Sequence, residues 1–273
     1  MTVLRSQLAT PGRLLLVGAG RMGGALLAGL RLTNIAMDIL VVDPQPAAGP
    51  ERAVARLADV GDFRPDLVVL AVKPGLIEAV APDLRARLGD ETAVISFMAG
   101  VRVARLRALL GEGPALIRVM PNLPLAVGMG VCGLFAPADA ADSAVDHAID
   151  LLEHCGEVVR LRREDDLDSV TAISGSGPAY VFRFAEALTA AAVNLGLPPD
   201  VAERLARQTM IGAGAQMAAD RSSLARLCEQ VTSPGGTTAQ ALEILGAPGG
   251  LDDLVTRAAK AAAGRAQALG DAA

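Results

Sequence analysis

The chain has 273 residues, a formal net charge of −5 and 52% hydrophobic residues, with 2% aromatics and no Trp. That length suits one large domain or two ordinary ones, and an acidic chain with no basic run or basic-aromatic stripe argues against nucleic acid as a partner. No apolar stretch approaches the roughly 18 residues that span a bilayer. Met1–Gly12 is polar and the Leu14–Val17 run after it is too brief for a secretory signal, so a cytoplasmic protein is expected.

Cys132, Cys155 and Cys228 are odd in number, widely spaced and lack a CxxC, which reads as three reduced thiols. His147 and His154 are the only histidines and have no ligand cluster around them, so no metal site is expected.

Arg13–Val17 is a short apolar run, followed by Gly18-Ala19-Gly20-Arg21-Met22-Gly23 and by Ala25, Leu26, Leu27 and Leu30 at helical spacing. Strand, tight turn and helix give GxGxxG its weight as a dinucleotide-binding loop. Gly18 allows the turn, Gly20 admits a pyrophosphate, and Gly23 lets helix pack on strand. Asp38–Val42 is the second strand, and Asp43 follows it. Two readings of Asp43 stand open. It accepts hydrogen bonds from the adenosine ribose and disfavours a 2′-phosphate, or it opens an Asp-Pro turn.

Leu67–Val72 reads as a buried parallel strand. Val72-Lys73-Pro74 then lies at a strand carboxyl end, the edge where open α/β sheets bind ligands. Lys73, one of two lysines in the chain, reads equally as a cofactor contact or a solvated loop residue. Strands at Ala93–Ser96, Ala115–Val119, Val131–Phe135 and Glu157–Leu161, with helices around Leu76–Leu88, Val103–Leu110 and Ala144–Leu152, complete a doubly wound, largely parallel sheet. Met120-Pro121-Asn122 opens a stiff loop at the end of one of these strands.

From Glu164 the pattern is helical throughout. A short helix covers Asp165–Ile173, a turn Ser174–Pro178, long helices Ala179–Leu195 and from Pro198 onward, a helix Leu224–Val231, and a terminal helix Leu251–Leu269. An Ala-rich bundle with few aromatics suits burial against another subunit. The expected architecture is a Rossmann-type α/β domain over residues 1–163 and an all-α substrate-binding and dimerisation domain over residues 164–273.

Val231-Thr232-Ser233-Pro234-Gly235-Gly236-Thr237-Thr238 separates two of those helices. It reads as a plain turn or as an anion cradle at a helix N-terminus, with Thr237 and Thr238 able to cap the helix they open. A nicotinamide cofactor implies hydride transfer. Reducing a ketone needs a proton donor, yet the helical half holds no histidine and only Lys260 near its end. It offers hydroxyls instead: Ser176, Tyr180, Ser233, Thr237 and Thr238. Such a set fits an electrophile already activated, such as a protonated imine that needs orientation.

The chain resembles the pyrroline-5-carboxylate reductases. The pieces that carry this are Gly18–Ala25, Val72-Lys73-Pro74, Arg118–Pro124, Gly175–Tyr180 and Val231–Thr238, in the family's order. The resemblance implies reduction of 1-pyrroline-5-carboxylate to L-proline with NADPH or NADH, by a homodimer or a decamer built from dimers. It implies that Val72, Lys73 and Pro74 lie beside the cofactor and Met120, Pro121 and Asn122 beside the nicotinamide, joining Gly18, Ala19, Gly20, Arg21, Met22 and Asp43 of the glycine-loop reading in the expected cofactor set. Ser176, Val231, Ser233, Gly235, Gly236, Thr237 and Thr238 would hold the substrate, with Thr238 bonding the ring nitrogen. The chain departs from the family pattern at Ser223-Leu224, where His-Pro is common, at Cys228, where a basic residue is common, and at Arg21, where Asn is frequent. A β-hydroxyacid dehydrogenase shares the two-domain plan but would carry a lysine on the helix after the Gly-Ser-Gly segment. Another imine reductase and a non-enzymatic NAD sensor are the remaining alternatives.

Overall fold

The structure, a computed structural model, describes residues 12–33, 35–46 and 52–271. Of the Met1–Gly12 segment all but Gly12 lies outside the described residues. The chain forms two compact units, one taking the described residues up to Gly175 and from Ala262 on, the other Ser176–Ala261.

In the first unit β1 (Arg13–Val17), β2 (Asp38–Val42), β3 (Ala53–Val54), β4 (Leu67–Leu70), β5 (Ala93–Ser96), β6 (Ala115–Met120), β7 (Gly130–Phe135) and β8 (Gly156–Arg160) make one sheet. Its order is β3-β2-β1-β4-β5-β6-β7-β8. The strands from β3 to β6 are parallel, in the order of a dinucleotide-binding fold. β7 runs antiparallel to β6, and β8 parallel to β7. A parallel return after β6 would need a crossover of a dozen or more residues. The Pro121–Met129 link, one 3₁₀ turn with flanks, is too short for that.

Alternation along the strands explains why the apolar runs are unbroken. Leu14, Leu16, Val41 and Val69 face a core shared with α1 (Arg21–Arg31) and α4 (Asp142–Glu153). Leu15, Leu40, Val68 and Leu70 face the opposite core, shared with α2 (Ile77–Arg85) and α3 (Val103–Leu110). Successive side chains point to opposite faces, and both faces are covered, so the central strand positions are apolar in unbroken runs. The fourth strand is shorter than its Leu67–Val72 run: the Ala71 amide still donates to the Val17 carbonyl at 2.8 Å, and the Ala71–Val72 backbone then passes close to Gly18.

The helices that follow are α5 (Asp166–Val170), α6 (Gly177–Asn194), α7 (Pro199–Ala219), α8 (Leu224–Gln230), α9 (Thr237–Leu245) and α10 (Leu251–Asp271). The turn expected at Ser174–Pro178 is not one. Thr171–Gly175 forms a single π turn, Ser176 has helical angles (φ −86°, ψ −23°), and α6 starts at Gly177 with Pro178 in its first turn. Proline in a first turn gives up no needed N–H and brings its φ preset, so Gly-Pro here starts a helix instead of breaking one. The Thr171 and Ser174 hydroxyls bond back to the Leu167 and Val170 carbonyls at 2.7 and 3.0 Å.

Candidate active site

The glycine loop lies where β1 gives way to α1, at the carboxyl edge of the parallel strands. Gly18 has φ 95°, and a Cβ there would stand 2.8 Å from the Ala71 carbonyl carbon and oxygen. Both the left-handed angle and the close approach demand glycine. A Cβ on Gly23 would strike the Gly18 carbonyl oxygen, so the helix can sit this close to the loop only without a side chain there. A Cβ at Gly20, by contrast, meets nothing within 4 Å. That open space in front of the first-turn amides of α1 fits the pyrophosphate of a dinucleotide, which needs backbone donors and room. Arg21 and Met22 are the first residues of that helix.

Asp43 closes the loop from the β2 side. Its Oδ2 accepts from the Ala19 amide at 2.6 Å and its Oδ1 from the Gln45 amide at 2.8 Å. Asp43 therefore makes the turn, and the same carboxylate also ties β2 to the glycine loop. Val72 packs beside Gly18, and exposed Lys73 precedes the helical turn that Pro74 opens.

Met120 ends β6, and Pro121 and Asn122 behind it are buried. The Asn122 side chain is 7% exposed and committed at both ends. Oδ1 accepts from the Val131 amide at 2.9 Å, and Nδ2 donates to the Ser174 carbonyl at 3.1 Å. The Asn122 backbone carbonyl accepts from the Leu125 amide at 3.1 Å. Nearby, Arg118 is buried on β6 and donates to Glu164 Oε1 at 2.9 Å, and the same oxygen accepts from the Val103 amide at 2.7 Å. Sequence reading gave Arg118 and Glu164 no role. Its one signal was an arginine inside an apolar strand.

In the second unit the Val231–Thr238 stretch turns at Gly235 (φ 67°), and the Gly236 amide donates to the Ser233 carbonyl at 3.0 Å. The expected cap is different: Gly236 is the N-cap of α9, and no side chain caps it. Thr237 and Thr238 lie inside the first turn, where their hydroxyls are not placed to serve as an N-cap. Among the described residues no hydrogen bond engages the Ser233, Thr237 or Thr238 hydroxyl. The first intrahelical bond runs from Gln240 N to Gly236 O, so the amides of Thr237, Thr238 and Ala239 also lack helical acceptors. Val231, Ser233 and Gly235 are exposed. Ser176 is partly exposed at the start of α6. Ser223, noted in sequence only as a departure, is the N-cap of α8 and accepts from Arg226 N at 3.3 Å.

A pyrroline-5-carboxylate reductase of Pseudomonas aeruginosa is 36% identical over 271 residues, 97% of this chain and 98% of that protein. The chain belongs to the pyrroline-5-carboxylate reductase family. A reductase of the same name from Vibrio alginolyticus is 35% identical over 93% of this chain and 96% of its own. The family model for pyrroline-5-carboxylate reductase dimerisation matches residues 164–269, and that for NADP oxidoreductase, coenzyme F420-dependent, matches residues 13–100. Among solved structures, the pyrroline-5-carboxylate reductase of Coxiella burnetii superposes with TM-score 0.86 at 33% identity, over 95% of this chain and 99% of that one. The Plasmodium falciparum pyrroline carboxylate reductase with NADP bound gives 0.82 at 28% identity, over 95% and 98%. No helix among the described residues is long and apolar enough to cross a membrane.

Proposed function

We propose that this protein reduces 1-pyrroline-5-carboxylate to L-proline with NADH or NADPH, the last step of proline biosynthesis, in the cytoplasm. When bound, the reduced nicotinamide supplies the hydride that the protonated imine carbon accepts, leaving a secondary amine. Residues 1–163 serve the cofactor and residues 164–273 the substrate and the dimer, with a decamer built from five dimers as the larger assembly. Gly18, Ala19, Gly20, Arg21 and Met22 hold the pyrophosphate through backbone amides at the start of α1. Asp43, Val72, Lys73 and Pro74 border the adenosine side, and Met120, Pro121 and Asn122 the nicotinamide side.

On the substrate side, Val231, Ser233, Gly235, Gly236 and Thr237 cradle the carboxylate, Ser176 contributes a further hydroxyl, and Thr238 orients the ring nitrogen. The observation that carries this reading is the unspent donor set of one loop: three free hydroxyls and three helix-start amides. An anionic carboxylate belongs at such an end, where N–H groups and dipole act together. Neither His nor Lys occurs in this loop, and an imine that arrives protonated needs neither.

The test is imine-dependent oxidation of NADH and NADPH, followed by nicotinamide absorbance, for the wild-type chain and Thr238→Ala. Wild type turns over, and Thr238→Ala lowers kcat/KM by about 10- to 100-fold through lost orientation. A chain that binds cofactor but oxidises none with the imine ends the reading. An unchanged kcat/KM in Thr238→Ala removes that residue from the mechanism.

A further inference from the structure

We propose that Asn122 is a positioning residue for hydride transfer: its side-chain amide replaces the backbone N–H that Pro178 lacks and so locks the π turn Thr171–Gly175 onto the Met120–Asn122 ledge. The inference rests on the reaction assigned above.

In an uninterrupted α-helix the Ser174 carbonyl would accept from the amide of residue 178. That residue is proline and has no N–H to give. The next amide, Ala179 N, bonds the Ser176 carbonyl at 3.0 Å. Asn122 Nδ2, reaching across from the end of β6, donates to Ser174 O at 3.1 Å. The other end of the same amide accepts from Val131 N at the start of β7. One neighbour is purely a donor and the other purely an acceptor, so the amide has a single orientation, and a carboxylate cannot serve both.

The turn is also seated sterically. A Cβ at Gly175 would stand 3.7 Å from Met120 Sδ, which places the turn against the residue that ends β6. A π turn inside a helical run is a feature that recurs at functional sites. Here it connects the last turn of the first unit to the ledge that borders the nicotinamide side. Without the donor the partly buried carbonyl has to find another partner, and the turn moves together with the ledge it rests on.

The test pairs Asn122→Asp with Pro178→Ala. Asn122→Asp keeps an acceptor for Val131 N and loses the donor to Ser174 O. It should lower kcat about tenfold or more while the dissociation constant for NADH, read from its fluorescence, stays within about twofold. Amide exchange across residues 171–180 should rise. Adding Pro178→Ala supplies an N–H four residues after Ser174, and should return the exchange and most of kcat. A kcat within about twofold of wild type overturns the proposal, as does a weakened NADH affinity with kcat retained. A loss that Pro178→Ala does not relieve overturns it too. If Asn122→Asp fails to fold, Asn122→Ser with and without Pro178→Ala decides the same point, relief supporting and its absence overturning. A wild-type chain without imine turnover would remove the assigned reaction, while the exchange pattern still decides the strut.

Discussion

Asp43 anchors the glycine loop, and the proposed cofactor site asks it to face the adenosine ribose as well. Its carboxylate anchors the Ala19 amide at 2.6 Å, and its position at the end of β2 is where an acidic side chain meets the adenosine ribose. A 2′-phosphate brought to the same place would meet a like charge. The expected outcome is a preference for NADH, and Asp43→Ser should raise the NADPH-to-NADH ratio of kcat/KM by about tenfold, close to 1.4 kcal/mol. Because the substitution also frees the Ala19 amide, kcat/KM should fall for both cofactors, so the ratio is the informative quantity. If wild type favours NADPH and the ratio does not move, Asp43 is only a loop anchor. The position of this residue was legible in the sequence from its spacing after the glycines. Its bond to Ala19 was not, because a pairing across 24 residues leaves no local pattern. Asn122 was missed as a strut for the same reason: its partners at 131 and 174 come from two other elements.

At the scale of elements, the sheet was readable because its two covered faces favour apolar residues on both sides of the central strands, and those runs stand out. β3 has two residues and offers no run to see. Gly-Pro at 177–178 misled because the same dipeptide breaks a helix interior and begins a helix, and only the angles decide. Burial in a strand also sets a pH limit. Cys132 on β7 is fully buried, and desolvation, with Cys155 nearby adding to it, pushes its thiol from an ordinary 9.0 up to about 12. The folded chain therefore keeps a proton that the unfolded chain releases first. The stability from this site is complete below about pH 9 and is lost as pH climbs toward 12, by about 1.4 kcal/mol per unit. Cys132→Ala should be less stable than wild type by about 1–2 kcal/mol at neutral pH through the lost packing. That gap should close as unfolding is followed from about pH 8 to 10.5, because only wild type carries the penalty. A gap that stays constant with pH would show that the thiol ionises alike in both states.

At the scale of the whole molecule, the second unit cannot be explained by one chain. Neither α6 nor α9 has a fully buried residue, and Val181, Phe182, Ile211 and Ile244 are exposed, Phe182 at 66% and Ile244 at 76%. Apolar surface on this scale marks a partner, and helices rich in Ala and Gly allow the close approach a helical partner makes. The sequence carried this much through its many helical apolar positions and few aromatics. It gave no sign that the far end of α10 belongs to the first unit, where a Cβ at Gly100 would stand 2.9 Å from the Gly270 backbone, since a backbone-on-backbone contact has no side-chain signature. The partner argued for is a second copy. Light scattering on wild type should therefore give an even multiple of 27.8 kDa. Its melting temperature should rise with protein concentration, as mass action requires when association stabilises the fold. Phe182→Glu would place a charge in that interface, where desolvating it without a partner costs several kcal/mol. The variant should run as a monomer, melt lower and lose the concentration dependence. A wild-type monomer at micromolar concentration, with a melting temperature indifferent to dilution, would mean that these side chains face solvent in the working protein, and the second unit would then need another source of stability.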